Sequence, residues 1–118
     1  MSASILKALR SKYDEELEHV GFIMSDGSVV ECENVSSTPA EAFDVSATDL
    51  DRYADEAIAT WHTHPKAGSN LSVGDLETFL LWNTMLHYIV GKDDIACYRT
   101  SGRNVVKHET DGSIPRSL

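Results

Sequence analysis

The sequence has little that would tie it to a disulfide framework, a nucleic acid or a membrane. Only two of its 118 residues are cysteine, Cys32 and Cys97. They lie far apart, with no C-x-x-C spacing and no secretion signal, so both read as reduced structural thiols. Basic residues are scarce: 10 Lys and Arg stand against 19 Asp and Glu, for a net charge of −9. No Lys/Arg cluster is present to displace counterions from phosphates, which excludes a nucleic-acid binder. No apolar run approaches the ~18 residues of a membrane-spanning helix. The first ten residues are too briefly apolar, and too soon charged, for a secretory signal. The expected place is the cytoplasm, of a bacterial host if the chain is phage-encoded, with no membrane partner. Repeats and low-complexity tracts are also lacking.

What is present is ordinary globular material, 42% apolar and 25% charged, enough for one hydrophobic core. Ile5, Leu6, Leu9, Tyr13 and Leu17 recur at helical spacing and predict an amphipathic helix over 3–17. Glu15, Glu16 and Glu18 would crowd its C-terminal end, the wrong sign for the helix dipole. Two β-rich runs flank Asp26-Gly27, a two-residue hairpin signal. Asn34 to Ala40 is a loop, Phe43-Asp44-Val45 a short strand, and Ser46 or Thr48 caps a brief helix through Leu50 and Tyr53. Ala57–Thr63 is small, apolar and β-branched, as in a strand buried on both faces, and Pro65 ends it. A largely buried helix is expected from Ser72 to about Leu86, then strands at His87–Gly91, Ile95–Thr100 and Asn104–His108. Residues 1–109 form one domain, and 110–118 a poorly ordered tail.

Chemistry concentrates between Trp61 and Asp75. On a strand, residues at i and i+2 leave the same face, so His62 and His64 can aim two imidazoles at one point. Polar capping of a strand end would explain either histidine alone. Ser72 and Asp75 have the spacing of a capping box opening a helix. A carboxylate in that first turn is also held ionised by the helix dipole, as a metal ligand must be. His, His and Asp are a donor set suited to zinc, whose catalytic sites take three protein ligands and leave one position open. Trp61 alternates away from the histidines and belongs to the core. His19, His87 and His108 read as structural, and Glu15 and Glu16 as solvated.

His62-x-His64-Pro65, six residues, Ser72-x-x-Asp75, with Glu18-x-x-Gly21 upstream, resembles the JAMM (MPN+) metallopeptidase signature. The order of elements resembles that family from the first helix to about Glu109. The resemblance implies an α/β fold, a deaminase-like α/β/α sandwich around a central mixed sheet. It implies one zinc per chain on His62, His64 and Asp75. Glu18 would be the general base and acid acting on water at the metal, and Ser72 a stabiliser of the oxyanion. The segment from Asn34 to Asp49 resembles the JAMM domain of lambda-K-type phage tail assembly proteins. There the domain commonly precedes an NlpC-type cysteine peptidase domain, whose motif this chain lacks.

The expected activity is zinc-dependent hydrolysis of a peptide or isopeptide bond in phage or prophage tail assembly. Expected partners are a protein or peptide substrate, phage tail proteins and an NlpC-type peptidase. One alternative is a bacterial JAMM peptidase that processes ubiquitin-like or sulfur-carrier proteins. Another is a non-catalytic tail-assembly binding module. Zinc nucleobase deamination would need a P-C-x-x-C ligand pair, which is missing.

Overall fold

The computed structural model describes residues 2–108. A six-stranded mixed sheet runs in the order β2-β1-β3-β4-β5-β6. Its strands are β1 (Val20–Met24), β2 (Val29–Cys32), β3 (Ala57–Thr63), β4 (Leu86–Val90), β5 (Ile95–Ser101) and β6 (Asn104–His108). The helices are α1 (Ser2–Arg10), α2 (Ala47–Tyr53) and α3 (Val73–Leu81), with a 3-10 turn at Ala54–Glu56. Neighbouring strands are antiparallel except β3 and β4, which run parallel. A parallel pair needs a crossover, and α3 lies within it. The protein is thus a mixed α/β fold, and no helix among the described residues is long and apolar enough to cross a membrane.

Period-two alternation divides the core between the two faces of the sheet. Ile23, Ala59, Trp61, Tyr88, Val90 and Cys97 cluster with Ile5 and Leu9 of α1. Ile89, Ala96 and Tyr98 cluster on the other face with Phe79 of α3. Both histidines of the motif belong to this second face, by their even spacing from Thr60. Trp61 is fully buried on the first, where its indole N–H donates to the Val30 carbonyl at 3.2 Å. That contact crosses Gly21, where a Cβ would stand 1.9 Å from Val30 O and 2.8 Å from the indole. Only glycine leaves room for it, which gives the residue three after Glu18 a packing reason.

Several expected boundaries move. α1 ends at Arg10, not at residue 17. Ser11 Oγ bonds back to the Ala8 carbonyl at 2.6 Å, and the Arg10 guanidinium reaches Gly91 O at 2.8 Å. Tyr13 turns away to accept a bond from the Lys66 amide at 2.8 Å. Leu17 is consequently exposed rather than core. The acids at 15–18 lie beyond the helix, so the expected dipole conflict does not exist, and Lys7 and Arg10 fill the last turn with the favourable sign.

The β1–β2 reversal takes four residues, Ser25–Ser28, with Gly27 at φ 88° and Met24 N bonded to Ser28 O. Phe43–Val45 lies outside the sheet, tied through a single backbone bond from Val35 N to Asp44 O. Ser46, not Thr48, caps α2. α3 stops at Leu81 because the next carbonyl, of Trp82, turns to bond His87 Nε2 at 2.9 Å and the Met85 amide. It is also less buried than its composition predicts: Val73 and Leu81 are 75% and 81% exposed. The expected tail at 110–118 lies outside the described residues. Both cysteines are buried free thiols, pushed up by burial to about 11 for Cys32 and about 12 for Cys97.

Candidate metal centre

Strand pairing brings the distant residues of the motif together. β1 and β3 pair with Val20 opposite His62. His19 and Thr63 extend the ladder: Thr63 N donates to His19 O, and His19 N donates to Thr63 Oγ1 at 2.8 Å. One step further, Glu18 stands across from His64. Its backbone is fixed on the other side, its amide donating to Pro39 O at 2.7 Å and its carbonyl accepting from Asn34 Nδ2 at 2.8 Å. Asp75 arrives from the first turn of α3, where it and Ser72 form a reciprocal capping box.

His62 Nε2 is 2.8 Å from Asp75 Oδ1, His64 Nε2 is 3.1 Å from Asp75 Oδ2, and the two Nε2 atoms are 3.2 Å apart. Glu18, His62 and His64 likewise place one donor atom each within 4.8 Å of one another. Tetrahedral ligands ~2.0–2.1 Å from a zinc ion stand roughly 3.3 Å apart. The His62–His64 spacing of 3.2 Å matches that figure, while the two Asp75 oxygens stand at the hydrogen-bond distances of 2.8 and 3.1 Å, so a small opening gathers the three side chains on a zinc ion. The chemistry of the donor set agrees. His64 Nδ1 lies 2.9 Å from the Gly68 carbonyl, which can only accept, so Nδ1 carries the proton. The lone pair of Nε2 then faces a carboxylate, and only a cation between them, proton or metal, reconciles the two. His62 Nδ1 is buried with no partner among the described residues.

Electrostatics separates the two carboxylates. Burial alone would raise Asp75, but hydrogen bonds from His62 and His64, then the Ser72 amide, hold it well below the usual range. Burial dominates at Glu18, with the Asp75 charge adding to it and His64 opposing, and pushes it up to about 7. Burial lowers His62 despite its bond to Asp75. At His64 burial also opposes the charged form, but the Asp75 and Gly68 bonds outweigh it and the net shift is upward. One carboxylate is therefore a permanent anion, and the other is poised near neutral pH.

Ser72 is exposed at the mouth of a cavity of about 340 Å³ that Glu18, Glu41, His64 and Asp75 also line. Its Oγ accepts from Asp75 N at 3.1 Å, which leaves the hydroxyl proton free. His62 is fully buried, and the Phe43 ring covers it with centroids 4.6 Å apart. The other three histidines are elsewhere. His87 bonds Thr60 Oγ1 and Trp82 O and stacks on Phe79. His19 bridges Asp14 and Glu31, and His108 ends β6.

Several contributors have no clear mark in the sequence. Gly68 acts through a carbonyl, a group every residue has. Phe43 reads as a strand residue. Asn34 offered a partial signal, since asparagine in a Ser/Thr loop favours side-chain bonds to nearby backbone. Its Oδ1 accepts from Ser36 and Asp44 amides, and its Nδ2 bonds Glu18 O and Ala42 O.

No family model matches the chain, and no curated protein does. Among solved structures it is similar to the solution structure of protein DSY2949 from Desulfitobacterium hafniense. The TM-score is 0.70 at 15% identity, over 90% of this chain and 86% of that one. A likeness at that identity speaks for the fold alone.

Proposed function

We propose that the chain is a JAMM-type zinc metallopeptidase that hydrolyses a peptide or isopeptide bond. The supporting observation is the convergence of His62, His64 and Asp75, with both imidazole Nε2 atoms facing one carboxylate and each other and the buried carboxyl of Glu18 beside them. The sheet, with α1 on one face and α3 on the other, would then be the JAMM form of the α/β/α sandwich.

In this reading His62, His64 and Asp75 hold one zinc ion. Bound there, zinc would polarise the substrate carbonyl and bring the pKa of its water towards ~7. Glu18, buried beside the site, would take a proton from the attacking water and return it to the departing amine. Ser72 donates its free hydroxyl proton to the developing oxyanion. Ala40, Ala42, Ala67 and Gly74 line the cavity with little bulk, leaving room for a main chain. The resemblance of the 34–49 segment supports a role in phage tail assembly, on tail proteins or beside an NlpC-type peptidase.

A second reading follows from the other triad. If Glu18 joins His62 and His64 as a ligand, no base remains, and the centre is a structural site in a binding module. One experiment separates them. Purified wild-type and Glu18→Gln proteins are assayed for bound zinc and, in the same samples, for cleavage of tail proteins, linear peptides and ubiquitin-like fusions. One zinc in both, with cleavage only by wild type, supports the peptidase. Zinc lost from Glu18→Gln supports the structural site.

A further inference from the structure

We infer that Asp94, on the β4–β5 turn, is a positioning residue for His64, acting through Ser69 and the backbone of Gly68. The inference rests on the proposed metal centre for its functional meaning, but its geometry is independent of any metal.

The Gly68 carbonyl that meets His64 Nδ1 belongs to a short loop after β3 with no regular structure of its own. Three contacts pin that loop to the β4–β5 hairpin. Asp94 Oδ2 accepts from Ser69 Oγ at 2.6 Å, Tyr98 Oη donates to Ser69 O at 3.0 Å, and Lys92 N donates to Ala67 O at 2.7 Å. Ser69 is 3% exposed, so an unmade bond there would cost far more than one at the surface. The loop also lies flat on Gly91, where a Cβ would be 2.5 Å from Ser69 N and 2.6 Å from Gly68 C. A glycine under the loop and a carboxylate beside it fix where the Gly68 carbonyl points. That carbonyl, by accepting from Nδ1, turns the Nε2 lone pair of His64 towards His62 and Asp75. Such outer bonds to a metal-ligating histidine are commonly worth 10–100-fold in affinity.

The test uses the full chain with Asp94→Ala and Asp94→Asn. The asparagine keeps an acceptor for Ser69, whereas the alanine does not. Two quantities are read: the hydrogen-bonded Nδ1 proton of His64, from the ring ¹⁵N shifts of chelator-treated protein, and zinc affinity by competition with a chromophoric chelator. Asp94→Ala is expected to lose the hydrogen-bonded Nδ1 proton and bind zinc about tenfold more weakly. Asp94→Asn should keep both. An intact proton signal and wild-type affinity in Asp94→Ala would overturn the inference, as would equal losses in the two variants. Should Asp94→Ala fail to fold, Ser69→Ala removes the same bond from the other side and is read the same way. If wild type binds no zinc but the proton signal still divides the variants, the positioning stands and the metallopeptidase reading falls.

Discussion

Ser72 and Asp75 hold each other twice: the Ser72 amide donates to Asp75 Oδ2, and the Asp75 amide donates to Ser72 Oγ, both at 3.1 Å. Asp75 Oδ1 remains turned towards His62 at 2.8 Å. The start of α3 and the candidate metal centre are therefore one structure. Ser72→Ala removes the cap and should cost about 0.5–2 kcal/mol in denaturant unfolding. Ser72→Asn, a comparable cap, should restore stability to within a few tenths of a kcal/mol. Ser72→Ala supplies no side-chain donor and should hydrolyse substrate roughly a hundredfold more slowly while keeping zinc, whereas the amide N–H of Ser72→Asn can still donate. Wild-type turnover by folded Ser72→Ala would remove Ser72 from the oxyanion role.

Zinc stoichiometry tests the ligands directly. His62→Ala or Asp75→Ala leaves two of three donors, and metal analysis after gel filtration should find no retained zinc. Asp75→Ala should also lower stability in the metal-free protein by at least about 1 kcal/mol, because the Ser72 amide, His62 and His64 lose their shared acceptor although the Ser72 cap on the residue-75 amide survives. Full zinc occupancy in Asp75→Ala would show that Glu18, His62 and His64 suffice.

The parts of this arrangement legible in the sequence are those that depend on local periodicity. β3 begins and ends where its small, apolar and β-branched run does, at Ala57 and Thr63. The capping box at Ser72 follows from spacing within one helical turn. What could not be read depended on contacts distant in sequence. α1 stops at Arg10 because its guanidinium meets carbonyls of the β4–β5 turn, more than eighty residues away. Likewise, nothing near Gly68 announces that its carbonyl orients His64. That Glu18 rather than Glu15 or Glu16 reaches the site follows from a register between β1 and β3, which sequence spacing alone does not determine.

Gly21 tests that register. Any side chain there would meet Val30 O and the Trp61 indole, so β1 and β2 must part or the indole must move. Gly21→Ala should destabilise the fold by at least about 2 kcal/mol, the upper part of the usual range for overpacking. Because Glu18 leads directly into β1, zinc-loaded Gly21→Ala should also lose hydrolysis beyond its unfolded fraction. Stability within a few tenths of a kcal/mol of wild type would refute the packing account.

The two roles of Glu18, in stability and in chemistry, oppose each other. Its carboxyl rises in the folded protein from an ordinary 4.5 to about 7, chiefly through burial. Below pH 4.5 folded and unfolded chains both carry the proton, and the group has no net effect on stability. Between about 4.5 and 7 the unfolded chain releases it while the folded chain keeps it. Stability from this group therefore falls as pH rises through that window, and the loss is complete above 7. Glutamine resembles the protonated acid and has no such dependence. In chelator-treated protein, Glu18→Gln should match wild type at pH 5 and unfold at distinctly higher denaturant at pH 8. Equal midpoints at both values would mean that Glu18 ionises without penalty, and that its carboxylate is not poised for proton transfer near neutral pH.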